Sequence, residues 1–186
     1  MNAALRSPVL RSPWLKWGLV ALIQLALVAL PLAERLRVHA SGTEVTLALT
    51  PIDPRDLLRG DYVILNPQIN VVEAGSLADS VYQGDPVWAV LEADNEGIHR
   101  AVELLDKAPE DGRLVIRGHV RGHRSEQRLA VDYGLDAFFV PEGQGLDIER
   151  LPRDRIRLVV AVSKGGASAP LRLMADGKVL LRDSAF

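Results

Sequence analysis

The spacing of apolar positions divides the chain into two regions. From Trp17 to Ala33 it reads WGLVALIQLALVALPLA, apolar on every face of a helix, with Gln24 the one strongly polar side chain. At the helical rise these residues cover about 25 Å, and Trp14, Leu15 and Leu36 lengthen the run toward the roughly 30 Å hydrocarbon layer of a bilayer. Lys16 lies between Trp14 and Trp17, where its ammonium can snorkel while the indoles sit at headgroup level. The pattern predicts a transmembrane helix over residues 14–36. Beyond residue 43 the period drops to two. In TEVTLALT, Val45, Leu47 and Leu49 share one face, as a half-buried strand requires.

Further strands are expected at 62–72, 86–93, 98–105, 113–121, 127–133, 136–140, 155–163, 170–175 and 178–182. Two pairs read as hairpins, 86–105 turning at Asn95-Glu96-Gly97 and 170–182 turning at Asp176-Gly177. Residues 113–133 read as a third, with Gly122 between its two runs. Short helical turns are expected around Leu57-Leu58 and over 145–151, and a loop over 164–169. Many short strands at this spacing predict a mainly β domain over 37–186, an antiparallel sandwich or a partly open barrel.

Charge orients this arrangement. Residues 1–36 carry Arg6, Arg11, Lys16 and Arg35 against the single acid Glu34, which leaves 18 bases and 23 acids, a balance of −5, for the rest. The positive-inside bias makes 1–13 a cytoplasmic leader and puts the β domain beyond about residue 37 on the other side of the membrane. A cleaved signal peptide and a buried core helix are the competing readings. The apolar run is longer than a signal core, and the nearest small-residue site, Val38-His39-Ala40, follows three charges. A core helix does not fit residues apolar all round next to a basic leader. A retained anchor is therefore expected. An acidic domain does not attract nucleic acid. The absence of cysteine excludes disulfides, cysteine-ligated metals, thiol catalysis and cysteine lipidation.

The densest chemistry is PIDPRDLLRGDYVILN, residues 51–66. Asp53 is a good helix N-cap, Pro54 fits the first helical position, Asp56 can reach back to the cap, and Gly60 suits the left-handed residue that ends the turn. Asp61 and Tyr62 then start a strand in which Tyr62, Ile64 and Asn66 share a face opposite Val63 and Leu65.

This stretch resembles the signature of the GDYXXLXY protein family, bacterial membrane-anchored proteins. Gly60, Asp61, Tyr62 and Leu65 match, as does the upstream DPRDLLRG, while Pro67 stands in place of the final tyrosine. That proline removes an N–H from the strand and predicts an edge or a bulge. YGLDAFFVPEGQG at 133–145 and MADGKVL near the C-terminus are also similar to the family. The resemblance implies one N-terminal anchor, an extracytoplasmic domain and an integral membrane partner. It supplies no catalytic residue.

Each candidate site also has a structural reading. Asp53, Asp56 and Asp61 have the composition of a hard-cation site, yet Arg55 and Arg59 compete for them and no regular alternation of ligands is present. His119 and His123 lie about 13 Å apart on a regular strand and meet at one ion only if Gly122 makes a turn. Asp132 and Asp136 could flank a cleft with Tyr133. No serine has a nucleophile context and no glycine loop cradles phosphate. Phe138 and Phe139 must point to opposite faces of a strand, one into the core and one outward.

No catalytic residue, metal ligand or cofactor is assigned. The expected contact elements are Asp53, Arg55, Asp56, Arg59, Gly60, Asp61, Tyr62 and Leu65 in one stretch. Tyr133, Phe138, Phe139, Pro141, Glu142 and Gly143 form the other. The expected function is a non-enzymatic, membrane-anchored accessory domain that binds an integral membrane or envelope protein. The alternative is an envelope hydrolase or a small-ligand domain using the Asp/Arg/Tyr cluster at 53–62.

Overall fold

The computed structural model describes residues 13–50, 62–139, 151–152 and 155–183. The chain divides into two compact units, Met1–Arg37 and Val38–Phe186. Helix α1, Pro13–Ser41, begins in the first and ends in the second. Its stretch Lys16–Ser41 is long and apolar enough to cross a membrane. Leu22, Leu25, Val28 and Leu30 on it are exposed, which a buried core helix would not allow.

In the second unit the last turn of α1 is packed. Val38 is buried in a small cluster with Ala161 and Ala169, and the N–H of Gly42 donates to the Val38 carbonyl at 2.9 Å. A Cβ on Gly42 would stand 2.6 Å from that carbonyl oxygen and 2.9 Å from the Ala161 Cβ. The exit from helix to strand is therefore closed to any larger residue.

Eleven strands follow among the described residues: β1 Thr43–Ala48, β2 Tyr62–Ile64, β3 Val71–Glu73, β4 Pro86–Ala93, β5 Ile98–Leu105, β6 Val115–Ser125, β7 Arg128–Asp132, β8 Ala137–Phe139, β9 Ile156–Val162, β10 Ser168–Ala175 and β11 Lys178–Arg182. Nine form one sheet in the order β11-β10-β9-β1-β5-β4-β6-β7-β3, and β2 pairs with β8 apart from it. The mainly β expectation holds, in an open form: the nine-stranded sheet is not closed into a barrel. One junction is parallel, β1 against β5, where purely antiparallel pairing was expected.

The sheet curls over one core. Val45, Leu47 and Leu49 of β1 and its exit, Val87, Ala89 and Leu91 of β4, and Leu158, Val160 and Val162 of β9 all enter the same buried cluster. This is the alternation that period two predicts. β3 approaches β5, although three strands, β4, β6 and β7, separate them in the sheet order. On the edge of β6 the Arg117 N–H donates to the Gly166 carbonyl at 2.8 Å, and the Trp88 indole N–H donates to Gly165 at 3.3 Å. The β9–β10 loop thus reaches the far side of the curl without completing a ladder.

Turn chemistry explains the hairpins. The Asp94 carboxylate accepts the N–H groups of Glu96 and Ile98, each at 3.0 Å, tying the β4–β5 turn. Asp176 and Gly177 both have positive φ, 48° and 77°, as the commonest two-residue hairpin turn demands. Two expectations are corrected. The strand expected over 62–72 splits into β2 and β3 around a short turn at Gln68–Asn70, because Pro67 has no N–H to continue a ladder. The third hairpin exists but turns after Ser125. Gly122 lies inside β6, where the pairing shifts between Val120/Val131 and Gly122/Ala130, so it makes a bulge and not the turn. The expected helical turn at 53–60 falls outside the described residues, as does that at 145–151 except for Leu151.

Candidate functional site: a tethered ribbon

The two stretches singled out in the sequence come together. β2 and β8 run antiparallel, with Tyr62 opposite Phe139, Val63 opposite Phe138 and Ile64 opposite Ala137. Past the paired residues, the Leu65 N–H donates to the Asp136 carbonyl at 2.7 Å, and the Asn66 carbonyl accepts from Thr50 at 2.7 Å. Leu65 and Phe138 are buried at 3% and 1% exposure. The leucine of the motif and the first phenylalanine are thus core anchors that seat the ribbon.

Side chains bind the ribbon to the main sheet. The guanidinium of Arg121, on β6, donates through Nη2 to Asp132 Oδ2 at 2.9 Å and also to Asp136 Oδ2. The other oxygen of Asp136 accepts from Asn70 Nδ2 at 3.3 Å, and the same nitrogen donates to Asn66 Oδ1 at 3.1 Å. Asp136 therefore joins three segments: β2 through its backbone, the Gln68–Asn70 turn through Asn70, and β6 through Arg121.

Burial pushes the Asp132 carboxyl upward. The Gly134 N–H, Arg121 and the neighbouring His119 outweigh that, and the net shift is below its usual value. The hydrogen bonds to Asp132 and then Asp136 raise Arg121 further. An ionised carboxylate held by arginine is a poor proton donor near neutrality. Asp132 and Asp136 together hold Arg121 and so clamp the ribbon to β6.

Tyr133 faces away from this clamp. Its ring is buried, 6% exposed, in the main core, and its hydroxyl has no hydrogen-bond partner. Burial raises its pKa strongly, so it stays a neutral phenol. Gly118 makes room for it: a Cβ there would come within 2.5 Å of Val131 Cγ1 and 2.8 Å of Tyr133 Cδ1. His119 sits opposite Asp132, while His123 Nε2 contacts the Ala78 carbonyl at 2.9 Å. The two histidines thus have different surroundings. Among the described residues no group of three or more His, Asp or Glu is placed to hold a metal ion.

Of the residues expected to form the contact elements, Leu65, Tyr133 and Phe138 are interior. The backbones of Tyr62 and Phe139 face each other across the ribbon. Asp53, Arg55, Asp56, Arg59, Gly60, Asp61, Pro141, Glu142 and Gly143 lie outside the described residues. Reasoning from the sequence missed Arg121, Asn66 and Asn70. The signal for Arg121 was present: a turn placed after Ser125 pairs His119 with Asp132 and brings position 121 to the same carboxylates.

A single apolar helix followed by a curled β domain, with an appended ribbon clamped to its sheet, fits a membrane-anchored β-domain protein. The sequence model of the GDYXXLXY protein family matches residues 24–173, and the chain belongs to that family. No curated protein and no solved structure matches the chain.

Proposed function

We propose that the protein is a non-enzymatic accessory protein of a bacterial inner membrane. Its N-terminus is cytoplasmic, helix α1 is retained as the anchor, and the β domain in the periplasm binds an integral membrane or envelope protein. The observation that carries this reading is the β2–β8 ribbon. Two signature stretches more than seventy residues apart pair with each other outside the nine-stranded sheet and are clamped to it by Arg121 and Asp136. A clamped ribbon on a rigid scaffold is a preorganised recognition element, and its strands can accept an extended partner segment by backbone pairing. The basic leader and long apolar run support the orientation.

The test is in-cell cross-linking and capture of the full-length protein beside Arg59→Ala and Asp61→Ala variants whose melting is unchanged. The expected result is a membrane protein captured by the parent and lost by the folded variants. A parent chain recovered alone from mild detergent, time after time, refutes the accessory role.

A further inference from the structure

Within the apolar run of α1, two polar groups fall on one side of the helix. Gln24 lies midway along it, and Pro31, inside the helix, has no N–H to give the Leu27 carbonyl one turn earlier. Position 31 is seven residues from 24, so the two share a face, together with Trp17, Ala21 and Val28. In hydrocarbon neither group meets water, and a side-chain amide without partners there is costly. A primary amide carries donors and an acceptor at once, so its simplest partner is another copy of itself. A two-fold parallel pair places equal positions opposite each other. Ala21, one turn before Gln24, keeps the helices close enough for the amides to meet.

We infer that two copies of this protein pair in the membrane through the Trp17–Pro31 face of α1, with the Gln24 amides hydrogen-bonded across the axis. This rests on the retained-anchor reading above and adds a self-association which that reading does not require.

The chain has no cysteine, so single cysteines report contacts without background. In the full-length protein in native membranes, Ala21→Cys and Val28→Cys give disulfide-linked dimers. Leu22→Cys and Ala26→Cys, on the opposite face, do not. Adding Gln24→Leu to the Ala21→Cys chain weakens association about 3- to 30-fold, while Gln24→Asn retains most of it. An alkaline wash of the membranes separates the two ideas. A chain released by the wash removes the anchor reading and the pairing with it. A chain retained, but with no face preference or no response to Gln24→Leu, overturns the pairing alone. Cross-links from positions 21 and 28 to a different protein also overturn it.

Discussion

Replacing Asp136 by alanine removes the side chain that joins the ribbon to two other segments. The Arg121 and Asp136 side chains are 53% and 35% exposed, so their ion pair contributes only about 0.2–1 kcal/mol. The Asn70 Nδ2 bond, long at 3.3 Å, adds about 0.5–1 kcal/mol. Arg121 keeps Asp132 as a partner and is not left unpaired. The expected loss is about 1–2 kcal/mol, which in a domain of this size lowers Tm by roughly 2–8 °C. Urea and thermal unfolding of the full-length protein in detergent read the loss. A cycle of Arg121→Ala, Asp136→Ala and the double variant isolates the pair, with an expected coupling of about 0.2–1 kcal/mol that shrinks in high salt. Amide exchange adds a local readout. The Leu65 N–H, bonded to the Asp136 carbonyl, should exchange faster once the carboxylate is gone, because the ribbon opens more often. Stability within about 0.3 kcal/mol of the parent, together with unchanged exchange at Leu65, would show that the clamp does not hold the ribbon.

Three further outcomes follow from the same geometry. Tyr133→Phe removes a buried hydroxyl that lacks a partner and is expected to stabilise by up to about 1–2 kcal/mol; a clear destabilisation in urea would mean that the hydroxyl is bonded to an internal water. Gly118→Ala forces a methyl into contacts of 2.5–2.8 Å and is expected to cost about 1–3 kcal/mol or more, whereas a neutral melting shift would contradict the close packing around Tyr133. The folded-state pKa of Asp132 is lowered, so its stabilising share is present above the usual carboxylate range and is lost as pH falls through the lowered value. Between pH 6 and pH 3, Asp132→Asn should therefore flatten the fall of Tm relative to the parent, and parallel curves would remove Asp132 from the clamp.

How much of this could be read in the chain depended on the range of the interaction responsible. Strands β4, β5, β7 and β9 fall within a few residues of their expected positions because period-two burial and turn residues are local signals. Asp176-Gly177 fixes its hairpin alone, since few other residue pairs accept positive φ twice. The parallel contact of β1 with β5 had no such signal: it joins segments fifty residues apart and depends on how the whole sheet curls. Pro67 predicted an edge or a bulge, not the split into two strands, and the packing of Ile69, 3% exposed, makes the turn between them a buried corner. Gly118 carries no local signal either: its need for a bare Cα arises from the approach of Val131, on the neighbouring strand, and Tyr133, just past it.

The candidate site divides the same way. The motif around Tyr62 and the aromatic pair at 138–139 were each legible as unusual, but nothing in either says that it pairs with the other. Their pairing is a backbone ladder, and the tie from that ladder to the main sheet runs through Arg121, which one misplaced turn hid. With the β6–β7 reversal set at Gly122, Arg121 would end a strand and face solvent. With the reversal after Ser125, it lies beside Asp132 and reaches Asp136, whose carbonyl already holds Leu65 of the motif. A shift of a few residues in one hairpin therefore separates a surface arginine from the group that fixes the signature strand in place.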